Sequence, residues 1–292
     1  MVSAKGKHKN KLFSVGVEKG RGLTRIKFNN EQVKTASEQV KKLPIYLLTP
    51  EHNVLFVGGP RERRHWIDWS LFHVEQNYLD TWKNYHRALR HRNTLLKDVR
   101  FDNSTKIVAW ETQIIQEAEK IDSMREKYIG SLGKTLNEKH LPAVLPGDAR
   151  ISYLKNEYGV NGLADALIKN RKEDAKKGYT SFGPHRADIL FYYQEVKVEK
   201  HLSRGQTKLF AASLVSAQLE KLKEKGGAPI MLVDDLSAEL DQQAAEKMLN
   251  LLLANKTQTF VTSIKPPSKQ KQLDDNIAVF HVKHGSIKKM LK

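Results

Sequence analysis

Ile230-Met231-Leu232-Val233-Asp234-Asp235-Leu236-Ser237-Ala238-Glu239-Leu240-Asp241 is an apolar run that ends abruptly in two adjacent carboxylates, with a short acidic loop behind them. A buried parallel strand has this pattern when it carries charged groups to its carboxyl edge. At such an edge one carboxylate can hold Mg2+, directly or through water, and the next can orient or deprotonate an attacking water. Phosphoryl transfer asks little covalent help of a protein, so positioning and charge supply most of the catalysis. The plain alternative is that Asp234-Asp235 caps the next helix or turn. The Ser-Ala-Glu-Leu-Asp string directly after it weighs against that reading.

Upstream, Leu202-Ser203-Arg204-Gly205-Gln206 opens a helix. Ser203 can cap it, Gly205 lets backbone approach a ligand closely, and the first-turn amides and helix dipole then face an anion. Taken alone the string is an ordinary cap; its place one helix ahead of the acidic strand favours function. Together the two segments describe the second half of a nucleotide-hydrolysing site. The first half, a glycine-rich phosphate loop, is not in the sequence. Gly130-Ser131-Leu132-Gly133-Lys134-Thr135 ends like one, but Tyr128 stands where the loop needs its first glycine. Its surroundings predict a helix.

Gly58-Gly59-Pro60-Arg61-Glu62-Arg63-Arg64 combines a hard stop with a basic first helical turn. Arginines at a helix start oppose the dipole, so carboxylates or phosphates should answer them. Pairing within the chain, with residues such as Asp68 or Glu62, is the competing reading. His65, His73 and His185 lack metal-ligand spacing, and no metal beyond Mg2+ is expected.

Composition sets the frame. The 292 residues carry 50 Lys+Arg against 33 Asp+Glu, a net charge of +17, which favours a polyanionic partner such as nucleic acid. With 39% apolar residues the chain can bury one large core or two modest ones. It has no cysteine, no run apolar enough to span a bilayer and no signal-peptide core, so a soluble cytoplasmic protein is expected.

The basic start, through Lys5, Lys7, Lys9 and Lys11, reads as a flexible arm, a frayed end or a strand. Alternation at Phe13, Val15, Val17, Ile26 and Phe28 predicts a β-hairpin, and Ile45 to Leu48 a short buried strand. Apolar steps from Ile67 to Leu89 and from Ile107 to Leu136 predict two long amphipathic helices, an antiparallel pair. Beyond Tyr179 come a loop, alternating residues from Ile189 to Val198, a helix from Ser203 to Lys225, the acidic strand, a helix from about Gln242 and strands near Thr259 and Ala278. That alternation implies a parallel sheet in an α/β domain.

The motif set resembles the RecF family of bacterial recombination and repair proteins, relatives of the ABC and SMC-type ATPases. The matching stretches are Thr49-Pro50-Glu51 through Gly58-Gly59-Pro60, Arg63-Arg64 and Asp68; Gly183 to Asp188; Leu202 to Gln206; and Val233 to Asp241. The resemblance implies an α/β ABC/SMC-type ATPase head, P-loop NTPase-like, with an inserted helical lobe and an incomplete amino-terminal lobe. Residues 1–60 would be the remnant of the amino-terminal ATPase subdomain, 61–178 the helical lobe, and 179–292 the carboxy-terminal subdomain. It implies ATP and Mg2+ as cofactors, with Asp234 as the magnesium carboxylate and Asp235 polarising water. Ser203, Gly205 and Gln206 would be the signature group acting across an ATP-dependent homodimer. Asp241 would end the D-loop, and Thr262 falls at the switch position, where its hydroxyl could bond the γ-phosphate. It further implies binding of single- and double-stranded DNA at gaps or junctions, and RecA loading together with RecR and RecO. The family begins with a strand, a phosphate loop and a helix that this sequence does not contain. The resemblance therefore leaves an upstream start or a shortened form open, and implies weak or impaired ATP turnover. The alternative is a DNA- and partner-binding protein without turnover. A structural SMC-like role would need far longer coiled coils than residues 61–140 provide.

Overall fold

The computed structural model describes residues 2–8, 11–20, 23–33, 43–49, 54–97, 105–156, 158, 162–264 and 277–290. Its basic start is a strand. β1 (Val2–His8) pairs antiparallel with β2 (Lys11–Gly20), followed by β3 (Leu23–Phe28) and β4 (Glu31–Gln32) in sheet order β1-β2-β3-β4. The expected hairpin forms, with Val17 opposite Ile26 and Val15 opposite Phe28. Its expected turn at Arg21-Gly22 lies outside the described residues. Asn29 and Asn30, at φ 51 and 66, close the next hairpin in the left-handed conformation that suits strand twist.

β5 (Ile45–Leu48) buries only Tyr46 and Leu48, while Ile45 and Leu47 stay 40% and 52% exposed. The strand expected to be buried is thus buried on one face only. A single turn, α1 (Val54–Val57), leads to α2 (Pro60–Val74), with Gly59 at the cap position and Pro60 in the first turn, where its missing N–H is not needed. Next come α3 (Tyr78–Leu96) and α4 (Thr105–Thr135). The helix expected from Ile67 to Leu89 is thus two helices. Glu75 leaves helical conformation at φ −115, ψ 113. Val74 and Tyr78 are four apart, so the apolar period runs through the break unchanged. Arg92, late in α3, meets Glu111, early in α4, as in helices that run back on one another. The Gly130 to Thr135 decoy is helical, inside α4.

A π turn (Leu136–His140) ends α4. Three short elements with little signature in the residue pattern come next: β6 (Ala149–Leu154), α5 (Gly162–Lys169) and α6 (Arg171–Lys177). β6 pairs with β7 (Asp188–Tyr193), which turns through Gln194-Glu195 into β8 (Val196–Lys197). A short helix α7 (Val198–His201) precedes α8 (Arg204–Glu224), β9 (Ile230–Val233), α9 (Gln242–Ala254) and β10 (Gln258–Val261). β5, β9 and β10 form a parallel sheet in the order β10-β9-β5. The hairpin β11 (Phe280–Lys283) and β12 (Ser286–Lys289) completes the described chain.

Every residue of α8 from Thr207 to Leu219 is buried. A helix covered all round sits at the centre of its domain. Tyr46, Leu48, Met231 and Val233 of the parallel sheet share one core with Phe210 and Leu214 of α8, Ile67 and Leu71 of α2, and Ile121 and Leu132 of α4. The same helix therefore fixes both the sheet that carries the acid pair and the helical layer beyond it. No described helix is long and apolar enough to cross a membrane.

Candidate functional site

β9 ends at Val233, so Asp234 and Asp235 leave the parallel sheet at its carboxyl edge, beside the end of β10. Thr262, one residue past β10, grips both. Its hydroxyl donates to Asp234 Oδ1 at 2.7 Å and accepts the Asp235 amide at 2.8 Å. Its backbone extends the ladder, with its N–H on Val233 O and its carbonyl accepting from Leu236 N. The hydroxyl expected to reach a phosphate is engaged by the acid pair here. Asp235 and Glu239 are left-handed, at φ 47 and 64, a conformation that costs a non-glycine residue about 1–2 kcal/mol. The loop between them must be braced from outside.

α8 supplies the brace. Ser203 caps it through a reciprocal pair: Gln206 N–H donates to Ser203 Oγ at 3.3 Å, and Ser203 N–H donates to Gln206 Oε1 at 3.0 Å. Both side chains are exposed at the helix N-terminus. Gly205 has a reason the sequence did not disclose. A Cβ there would lie 2.8 Å from the Glu239 carbonyl oxygen, so the acidic loop of the same chain fills the space read as room for a ligand. Asp241 caps α9 by accepting from Ala244 N at 2.8 Å.

Lys208 is the residue that sequence reasoning missed. It is 4% exposed, and its ammonium donates to Asp235 O at 2.6 Å and Ala238 O at 3.0 Å. Burial lowers its pKa, while Asp235, Glu239 and Asp234 push it back up. The available signal was a single charge, little more than one turn into the helix, at the head of the long apolar stretch Leu209 to Leu219.

A second constellation joins the other two motif stretches. Arg63 forks onto Asp188, with Nε to Oδ1 at 2.7 Å and Nη2 to Oδ2 at 3.0 Å, and its Nη1 reaches Gly58 O at 2.6 Å. Arg64 Nη1 donates to Ala187 O at 2.6 Å. The chain thus answers Arg63 through Asp188 and Arg64 through a backbone carbonyl, and not through Asp68 or Glu62. Asp68 instead takes Arg125 at 2.7 Å and the Trp82 indole at 3.2 Å. His185 Nε2 donates to Thr180 O at 3.0 Å, so Nδ1 accepts from Tyr85 Oη at 2.6 Å. Burial lowers the His185 pKa to about 4, which keeps the ring neutral. Pro50 and Glu51 of the first stretch lie outside the described residues.

Comparison with known proteins gives this arrangement a lineage. The family model "RecF/RecN/SMC N terminal domain" matches residues 2–288. The DNA replication and repair protein RecF of Shewanella loihica (strain ATCC BAA-1088 / PV-4) is 35% identical over 271 residues, 91% of this chain and 74% of that one. That of Nitrosococcus oceani (strain ATCC 19707 / BCRC 17464 / JCM 30415 / NCIMB 11848 / C-107) is 33% identical over 296 residues, 99% and 81% of the two chains. The chain belongs to the RecF family. A solved structure of the recombination mediator protein RecF-ATP in the RecFOR pathway shares its fold, with a TM-score of 0.78 at 24% identity over 96% of this chain and 76% of that one. The expected ATPase-head fold with a helical lobe is thereby established for this RecF-family chain.

Proposed function

We propose that the chain is a recombination mediator that binds DNA at gaps or single-strand/double-strand junctions and, with RecR and RecO, promotes loading of RecA. It works as an ATP-dependent homodimer, with residues 1–60 and 179–292 serving as the two parts of the ATPase subdomain and 61–178 as the helical lobe. One observation carries this reading: the Asp234-Asp235 pair is held at the sheet edge by Thr262 and braced from α8, whose capped start exposes Ser203 and Gln206.

The roles follow from the chemistry. No cluster of three acidic or histidine ligands forms among the described residues, so a cation at Asp234 would take most of its ligands from nucleotide and water. That suits Mg2+, a hard ion usually bound by one or two carboxylates plus phosphate oxygens. When bound, the ion would neutralise charge on the phosphates. Asp235 orients the attacking water. The first turn of α8, with Ser203, Gly205 and Gln206, offers amides and a hydroxyl to phosphate oxygens held by a second copy. Thr262 holds the Asp234 carboxylate and the Asp235 backbone, and Asp241 fixes where the acidic loop ends.

A second reading, DNA and partner binding without turnover, is favoured by the +17 charge and by the lack of a Gly-x4-Gly-Lys-Ser/Thr string in the 292 residues. Fluorescence anisotropy with gapped and blunt duplex DNA, with and without Mg-ATP, separates the two. The first reading expects a preference for the gap that ATP strengthens, and that ATP no longer strengthens in Ser203→Arg. The second expects the gap preference alone. Equal affinity for both DNAs under all conditions would contradict each.

A further inference from the structure

The Arg63 and Arg125 guanidinia use up the two carboxylates beside the Pro184–Arg186 turn, Asp188 and Asp68. The next acid along, Asp122, accepts the Tyr153 and Tyr158 hydroxyls, and burial raises its pKa. Three further guanidinia share this neighbourhood: Arg64, hydrogen-bonded to the Ala187 carbonyl; Arg186, in the turn itself; and Arg90, on α3 one turn beyond His86. None of the three has a carboxylate partner among the described residues. Arg90 and Arg186 are exposed. Arg186 lies 4.8 Å from the centroid of the Tyr179 ring, itself 43% exposed, and His86 lies 4.0 Å from the Trp82 ring. The crowding registers on the groups between them. Burial, then Arg125, lowers the Arg64 pKa against the opposing pull of Asp188 and Asp68; burial also depresses His86 against Asp68, helped by Arg125 and Arg90, and His185 against its Thr180 hydrogen bond, helped by Arg186 and Arg64. Both histidines are therefore neutral at pH 7, and the positive charge here is carried by arginine.

We propose that the face formed by Arg64, Arg90, Arg186 and Tyr179 is a docking surface for the phosphates and a stacked base of DNA. The assignment rests on the DNA-binding reading above and says where on the chain that binding occurs. Guanidinium forks match phosphate geometry, and an exposed ring beneath an arginine is a platform that any base can use. The excess charge of the whole chain draws the same partner. An acidic polypeptide would satisfy the charge but leave the ring without its stacking partner.

The test is anisotropy of a labelled gapped duplex titrated across salt concentrations, for the full chain and two charge-matched pairs. Arg90→Gln/Arg186→Gln should weaken binding at least ten-fold and flatten the log K against log salt slope by about 2, the release expected for two lost phosphate contacts. Lys225→Gln/Lys247→Gln, exposed lysines elsewhere on the chain, should leave affinity and slope near those of the parent. Equal losses in both pairs would mean diffuse charge, and no loss in the arginine pair would remove the site; either overturns the assignment. So would displacement of the DNA by poly-glutamate at equal charge concentration, which would mark an acidic-polypeptide surface. A parent chain that binds no DNA would sink the DNA-binding reading itself, a result distinct from a parent that binds and an arginine pair that binds equally well.

Discussion

At the scale of single residues, the acidic loop is a strained segment held by bonds from two sides. Asp235 and Glu239 are left-handed, Thr262 holds one flank, and Lys208 holds the other through two backbone carbonyls. Lys208→Met removes both donors while keeping most of the side chain's bulk. Leaving those carbonyls unsatisfied should cost about 1–3 kcal/mol in urea denaturation and abolish ATP-strengthened DNA binding. A variant as stable and as ATP-responsive as the parent would show that the brace is dispensable. His185 makes a pH prediction. Its folded pKa, about 4, lies below the ordinary histidine value of 6.5. Between these values the unfolded chain takes up the proton first, so the stabilisation is whole above pH 6.5 and gone below pH 4. The loss amounts to about 3 kcal/mol, visible as a falling Tm across that window. Much of this site was legible in sequence because Asp234, Asp235 and Ser203 belong to contiguous strings with recognisable chemistry. Lys208 was not, because a single lysine in the first turns of a helix reads as a side chain reaching for water. The fork of Arg63 on Asp188 spans 125 positions, beyond any local pattern.

At the scale of elements, long periodic segments declared themselves and short ones did not. The amphipathic spacing found α2, α3 and α4 but ran straight through the break at Glu75. β6, α5 and α6 are too short for a period to build up, and β6 mixes Arg150 and Ser152 with apolar residues. What joins these elements is a buried ion network. Arg92, wholly buried in α3, reaches Glu111 of α4 at 3.0 Å, Asp174 of α6 at 2.8 Å, and Thr180 Oγ1 at 2.8 Å. Removing Arg92 leaves the buried Asp174 without a cation, while Glu111 keeps Arg171 at 2.5 Å. Arg92→Ala should therefore lose about 3–5 kcal/mol by urea denaturation. A loss under about 1 kcal/mol, the range of an exposed pair, would mean the network contributes little to the helical layer.

At the scale of the whole molecule, one helix mediates between the chemistry and the rest of the chain. α8 starts at the exposed Ser203 cap, braces the acidic loop one turn later, and is then buried among the parallel sheet and the helical layer. A ligand that shifts the first turn of α8 therefore moves a rigid body that touches every layer of the core. On the reading proposed above, the acid pair of one copy and the Ser203 helix of a second face the same nucleotide. Steady-state ATP hydrolysis with gapped DNA decides this, measured for the chain, for Asp235→Asn and for Ser203→Arg, each variant checked for an unchanged Tm. Weak but measurable turnover in the parent, and at least a ten-fold loss in each variant, are expected. Turnover that survives either substitution would contradict this shared site.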